Sequence, residues 1–103
     1  MYGLIGKLAA APGKRDALIA ILLESTAGMP GCMSYVIAKD ATESDSIWVT
    51  EVWDSKDSHD ASLSLPAVKE GITKAKPIIA GFAQHTVTEP VGGYGFTSLK
   101  SHA

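Results

Sequence analysis

The chain has 103 residues, of which 46% are hydrophobic and 19% charged, and its formal net charge is −2. A chain of this length and composition folds as one domain with a modest core. Because the charge is balanced and no basic stripe is present, nucleic acid is not expected as a partner. No apolar run approaches the roughly 20 residues of a membrane span and no charged leader begins the chain, so we expect a cytoplasmic protein without a membrane partner.

The first half of the chain changes between strand and helix patterns. Residues 2–10 are apolar without helical spacing and are followed by a Pro-Gly pair, which predicts a strand and a turn. Residues 14–28 carry apolar side chains at helical spacing until glycine and proline stop the pattern, which predicts the first helix. Residues 31–39 alternate again, with small or apolar side chains on both faces, and predict a second strand.

The second half begins with a third strand. Residues 47–53 alternate β-branched and aromatic side chains after a polar turn, which is typical of a strand. Residues 56–63 follow an Asp-Ser pair that can cap a helix, and Pro66 can begin another helix that Pro77 ends. The sequence therefore predicts a second helical segment that is broken in the middle.

The predicted element order indicates a fold class. Residues 78–89 give a last strand and a loose tail begins at about residue 90, so residues 1–103 read as a single domain. The order β-α-β-β-α-β is that of a ferredoxin-like α+β subunit, with both helical layers on one face of the sheet. Strands two and three are apolar on both faces, so the helix-free face of the sheet would be an exposed apolar patch unless another surface buried it. We expect a homodimer in which a second copy supplies that surface.

Few side chains have the chemistry of a functional site. There is no phosphate loop, nucleophile elbow or metal-spaced cluster of His, Cys or Glu, so no metal and no cofactor is expected. Cys32 is the single cysteine and is interpreted as a small buried apolar residue. Glu51 stands between Val49 and Trp53 on one face of strand three, where a carboxylate is costly unless paired or protonated. His59 follows in the short helix, and together these residues are the candidates for chemistry.

Each candidate also has a purely structural interpretation. Glu51 can cap a backbone group or pair with a Lys or Arg at the sheet edge, and Trp53 can belong to the core. His59 can be a solvated helix histidine among charged neighbours. Tyr35 can offer its hydroxyl to a ligand or only pack its ring, and His85 in the last strand is expected to be structural.

Four short motifs occur in order along the chain. They are Pro12-Gly13 before the first helix, Pro30-Gly31-Cys32 with Ser34-Tyr35 at strand two, Glu51-Val52-Trp53-Asp54-Ser55 at the end of strand three, and Leu65-Pro66. With these motifs the chain resembles the antibiotic biosynthesis monooxygenase family over nearly its whole length. The resemblance implies a dimeric α+β barrel of ferredoxin-like subunits with a pocket between helices and sheet. Several members of that family oxidise quinols or polycyclic phenols with dioxygen and without a metal or flavin.

The resemblance extends to the site residues unevenly. The family's pocket tryptophan corresponds to Trp53, and a pocket tyrosine six residues later in one polyketide-oxidising member corresponds to His59. That member's asparagine four residues before the tryptophan is Val49 here, and its arginine of a later helix has no counterpart. Many members have a histidine nine residues after the tryptophan, where this chain has Ser62. Haem-degrading members have a tryptophan there and an iron-ligating histidine near Ile72, so haem binding of that kind is not expected.

The resemblance thus implies a cofactor-independent monooxygenase that acts on a small quinol or polycyclic phenol. His59 or Glu51 would take the hydroxyl proton, and a histidine suits this role because its pKa lies close to the operating pH. The predicted substrate-binding residues are Trp53, Val49, Tyr35 and Ser62. Two alternatives stay open, namely an isomerase that moves protons on a hydroxy-carbonyl compound, and a non-catalytic module that binds a small aromatic or quinone-like molecule.

Overall fold

A computed structural model describes residues 1–95, and within them the chain forms four strands and three α-helices in the predicted order. The strands are β1 Tyr2–Ala10, β2 Cys32–Lys39, β3 Ser46–Trp53 and β4 Ile79–Thr88. The helices are α1 Arg15–Ser25, α2 Lys56–Ser62 and α3 Pro66–Ala75, the last followed by a 3₁₀ turn Lys76–Ile78. The strands form one antiparallel sheet in the order β2-β3-β1-β4. The predicted α+β ferredoxin-like fold is confirmed.

The register of the sheet decides which side chains face the helices. Leu8 of β1 pairs with Ile47 of β3, and both are buried beneath the helices. Residues directly opposite one another share a face and alternate residues lie on the same face, so Val49 and Trp53 also face the helices. Trp48, Thr50 and Val52 lie on the other face, which we call the open face. The pairing continues without a break along the whole of β3.

Two irregularities interrupt the regular alternation. The pairing of β2 with β3 shifts between Cys32 and Ser34, so the strict alternation predicted for the start of this strand is wrong there. In the pairing of β4 with β1, Leu8 lies opposite Phe82 and Gly6 opposite His85, with a shift between them. The bulge therefore places Phe82 and His85 on the same face, the helix-side face, although their numbers differ in parity.

The core lies between the sheet and helices α1 and α3. Leu18 and Ile47 are fully buried at its centre. The buried cluster consists of Leu8, Ala10, Leu18, Ile47, Val49 and Ala75. Helix α1 ends at Ser25, sooner than the predicted stop at Gly28, and Thr26, whose amide donates to the Leu22 carbonyl at 3.2 Å, has left the helical conformation with φ −106° and ψ 6°.

The loop before β2 joins the sheet to the start of α2. Gly31 has φ +81°, a left-handed conformation that a side chain disfavours, and a Cβ there would lie 2.6 Å from the Ser58 Cβ. The Asp54 amide donates to the Gly31 carbonyl at 2.9 Å. This close approach fixes the position of α2 at the end of β3.

The open face and the tail complete the described chain. Val36 of β2 is 53% exposed on the open face. Residues 90–95 have neither helix nor strand, and the rest of the predicted tail lies outside the described residues. Within residues 1–95, no helix has both the length and the apolar character needed to cross a membrane.

Candidate functional site

A cavity of about 590 Å³ lies between the helix-side face of the sheet and the helices. Small-molecule sites in proteins have volumes of about 300–1,000 Å³, so the cavity is large enough for an organic ligand. Its wall is mostly apolar, and the polar residues that line it include Tyr35, Glu51, His59, Ser62 and His85. Within residues 1–95, no three His, Cys, Asp or Glu side chains converge as metal ligands would.

Glu51 and Trp53 form a hydrogen-bonded pair on the wall supplied by β3. Trp53 is 1% exposed, and its indole Nε1–H donates to Glu51 Oε1 at 2.9 Å. Burial raises the pKa of Glu51, while the hydrogen bond from Trp53 and the nearby His59 and His85 lower it. The purely structural interpretation of Glu51 paired it with a Lys, an Arg or a backbone group. In the structure its partner is the Trp53 indole instead. A carboxyl group in this environment can both hold and release a proton.

His59 reaches the cavity from α2. Ser55 caps this helix, as predicted, because its Oγ accepts a hydrogen bond from the Ser58 amide at 3.1 Å. The His59 ring lies edge-on to Trp53 with 5.5 Å between ring centroids, and 5.4 Å from the ring centroid of Tyr2. Only 18% of the His59 side chain is exposed, so the interpretation as a solvated helix histidine is wrong.

Asp60 orients the His59 ring. His59 Nδ1 lies 3.0 Å from Asp60 Oδ1, and Lys56 Nζ donates to Asp60 Oδ2 at 2.7 Å. The bonds from Lys56 and His59 hold the pKa of Asp60 below its ordinary value, so the carboxylate is ionised and only accepts. This favours the proton on Nδ1 and leaves Nε2 with its lone pair as a proton acceptor. The sequence analysis missed Asp60, although its i,i+4 spacing from Lys56 was a visible signal.

The other predicted substrate-binding residues also line the cavity. Burial raises the pKa of Tyr35, so its hydroxyl stays protonated and available as a donor. The Ser62 hydroxyl donates to the His59 carbonyl at 2.6 Å and is thus engaged within α2. Val49 is 7% exposed and supplies apolar wall. The polar contacts with a ligand are therefore expected from Tyr35, Glu51 and His59.

The sequence analysis also missed the wall formed by β4. Phe82 is 77% exposed and His85 is exposed, and both line the cavity at its open side. The sequence predicts a structural role for His85, and the structure places it exposed at the cavity. Alternation along β4 would place Phe82 and His85 on opposite faces. Because a bulge lies between them, only the observed register shows that both are on the helix-side face.

Comparison with known proteins places the chain in a family. Residues 1–74 match the antibiotic biosynthesis monooxygenase family. A crystal structure from Chloroflexus aurantiacus J-10-fl, described as a candidate antibiotic biosynthesis monooxygenase, is 59% identical with a TM-score of 0.91, covering 92% of this chain and 97% of that chain. This chain belongs to the antibiotic biosynthesis monooxygenase family. The resemblance inferred from the four motifs is confirmed.

More distant similarities support the family's fold. A candidate antibiotic biosynthesis monooxygenase from Caulobacter crescentus CB15 is 22% identical with a TM-score of 0.79, over 88% of this chain and 90% of that chain. This similarity concerns the fold alone. An uncharacterised protein of Synechocystis is 30% identical over 78 residues, which are 73% of this chain and 53% of that protein. The chain therefore spans about half the length of this curated relative.

Proposed function

We propose that this family member oxidises a small quinol or polycyclic phenol with dioxygen and needs no metal or flavin. The observation that carries the proposal is the joint placement of a buried carboxyl, Glu51, and an oriented imidazole, His59, around Trp53 in an apolar cavity. A mostly apolar cavity favours the reaction of an electron-rich anion with dioxygen because the bound ring displaces water from it. The cytoplasm remains the location predicted from the sequence.

The proposed first step is removal of the phenolic proton. His59 Nε2 accepts it, because Asp60 holds the proton of the neutral ring on Nδ1 and stabilises the imidazolium that forms. Glu51 faces the same cavity and is a second group that can take up a proton there, since burial raises its pKa. Trp53 is almost wholly buried in the wall and positions the Glu51 carboxyl through its indole N–H.

The oxygen step balances without an added reductant. The phenolate passes one electron to dioxygen, and the two radicals combine to form a peroxide at a ring carbon that bears hydrogen. Loss of that hydrogen and cleavage of the O–O bond leave one oxygen in the quinone, while the other departs as water with the two hydrogens removed from the substrate. In this scheme the residues of the cavity only transfer protons and position the aromatic ring.

The test is oxygen uptake with a panel of quinols and polycyclic phenols, comparing wild type with His59→Ala. Removal of a general base typically lowers the rate about 10²- to 10⁴-fold. Asp57→Ala is the matched control, because Asp57 is exposed on the same helix and lies outside the cavity lining. Circular dichroism checks that all three proteins fold alike.

The outcomes of this assay separate the three functions. Equal oxygen uptake by wild type, His59→Ala and a protein-free blank would refute the oxidation. Substrate that exchanges C–H for C–D in heavy water without oxygen uptake would support the isomerase. Binding of an aromatic ligand without either reaction would support the binding module.

We also propose that the chain forms a homodimer through the open face of the sheet. The open face carries Val36, Trp48 and Val52, and Val36 is 53% exposed in the single chain. A two-fold pairing of two such faces is self-complementary and closed. A specific interface of this kind should bury at least about 1,000 Å².

Sedimentation at micromolar concentration tests the dimer. Wild type should sediment as a dimer and Val36→Glu as a monomer, because the substitution places a charge in the proposed apolar interface. Leu23→Glu is the control, since Leu23 is 59% exposed on α1, away from the open face, and should leave the dimer intact. A monomeric wild-type protein would contradict the proposal.

A further inference from the structure

Gly6 occupies an unusual position in the central strand. The helix-side residues before and after it in β1 are Leu4 and Leu8, and both are buried. Gly6 lies between them, pairs with Val49 on one side and with His85 on the other, and lines the cavity. The floor of the cavity therefore has no side chain at its centre.

The fold itself does not require a glycine at this position. Gly6 is not among the glycines with positive φ, so a side chain is compatible with its backbone conformation. A Cβ built on Gly6 would meet only the Gln84 carbonyl oxygen, at 3.7 Å, which is an ordinary contact. Glycine inside a strand reduces stability, and it often marks a place where a ligand or another backbone approaches closely. The bulge in the pairing with β4 falls between Lys7 and Leu8 and not at Gly6, and nothing lies closer to a built Cβ than the Gln84 carbonyl oxygen, so the space above Gly6 is open to a ligand.

We propose that Gly6 is the specificity-determining residue of the cavity, and that it admits a planar aromatic ring lying flat on the sheet. The inference rests on the proposed function for the chemistry of the ligand. Neighbouring strands lie about 4.8 Å apart, so Val49 and His85 stand about 10 Å apart on either side of Gly6, and Leu4 and Leu8 are about 13 Å apart along the strand. These are spans between backbone positions, and in a cavity of about 590 Å³ they leave more area than a single ring covers, so fused rings are the ligand that we assign.

The two ends of this floor differ in polarity. Glu51 lies opposite Leu4 and diagonal to Gly6, and at the roughly 7–8 Å of diagonal neighbours in a sheet it is within reach of a ring that covers Gly6. His59 lies beyond it, against Tyr2 and Trp53. At the other end Phe82 lies opposite Leu8 and is 77% exposed on the same face. The ligand class is thus a fused aromatic molecule with its hydroxyl at the Glu51 end and its unsubstituted ring at the Phe82 end.

Binding of non-oxidised probes tests this assignment separately from catalysis. Titration calorimetry under nitrogen measures the Kd of 1-naphthol and of phenol for wild type, Gly6→Ala and Gly6→Val. We expect Gly6→Ala to raise the Kd of 1-naphthol at least tenfold and the Kd of phenol less than threefold. Gly6→Val should raise the Kd of 1-naphthol further. The melting temperature of Gly6→Ala should equal or exceed that of wild type, because alanine restricts the unfolded chain more than glycine.

Gly81→Ala is the matched control. Gly81 also lies in a strand, pairs with Ala9 on the opposite face, and has no atom within 4 Å of a built Cβ. It should bind both probes as wild type does. The assignment is overturned if Gly6→Ala binds 1-naphthol as tightly as Gly81→Ala, if it loses both probes equally, or if wild type does not bind 1-naphthol. If Gly6→Ala selectively weakens the binding of 1-naphthol while the wild type consumes no oxygen, the role of Gly6 in specificity stands and the proposed oxidation is refuted.

Discussion

Replacing Trp53 with Phe removes one hydrogen-bond donor from the cavity wall and leaves most of its apolar surface. Trp53 Nε1 donates to Glu51 Oε1 at 2.9 Å, and Trp53 is 1% exposed. A hydrogen bond to a charged group contributes about 1.5–3 kcal/mol to stability, and one between neutral groups about 0.5–1.5 kcal/mol. Trp53→Phe should therefore cost about 1–1.5 kcal/mol more when Glu51 is ionised than when it is protonated.

The sign of the pH dependence follows from the pKa of Glu51. Burial raises this pKa and the bond from Trp53 lowers it, so removing the donor raises it further. A raised pKa means that the folded state binds the proton more tightly than the unfolded state. The stability gained from that proton is fully present at low pH and is lost as the pH rises through the folded-state pKa. The free-energy loss of Trp53→Phe should therefore grow between pH 4 and pH 8.

Urea unfolding at the two pH values measures this difference. Trp48→Phe is the control, because Trp48 Nε1 donates to Asp40 Oδ2 at 2.7 Å on the open face. The Glu43 and Thr42 amides hold the pKa of Asp40 well below its ordinary value, so it is ionised at both pH values and the loss should be constant. The reasoning is refuted if Trp53→Phe costs the same at pH 4 and pH 8, or if its pH dependence persists in a Glu51→Gln background.

Two further substitutions test the parts that hold the site in place. Asp60→Asn should lower the rate of oxygen uptake at least about tenfold, because an amide that donates to Nδ1 favours the wrong tautomer of His59, and Lys56→Gln should retain most of the rate. Gly71→Ala would bring a Cβ to 2.4 Å from the Ser25 Cβ, where α1 meets α3, so unfolding by urea should show a loss of about 1–3 kcal/mol. Adding Ser25→Gly should recover part of this loss, and strictly additive effects would show that the two helices do not meet there.

The sequence by itself determined the element order and the grouping of side chains on β3. Because alternate residues of a strand share a face, Val49, Glu51 and Trp53 had to lie together. The capping Ser55 and the helix-starting Pro66 placed α2 and α3 in succession. The four motifs were sufficient to identify the family. These are local properties of the chain, which is why the sequence could reveal them.

The tertiary structure alone decided what meets across the cavity. Alternation says that Glu51 and Trp53 share a face, and only the packing of α1 and α3 shows that this face is the buried one. Phe82 and His85 join the cavity wall because a bulge shifts the register of β4 by one residue, and parity cannot foresee a bulge. Gly6 forms the centre of the cavity floor because strand pairing places Val49 and His85 on either side of it. The physical reason is that pairing between strands distant in sequence sets the shape of the cavity. A pattern along the chain shows only which side chains of one element share a face.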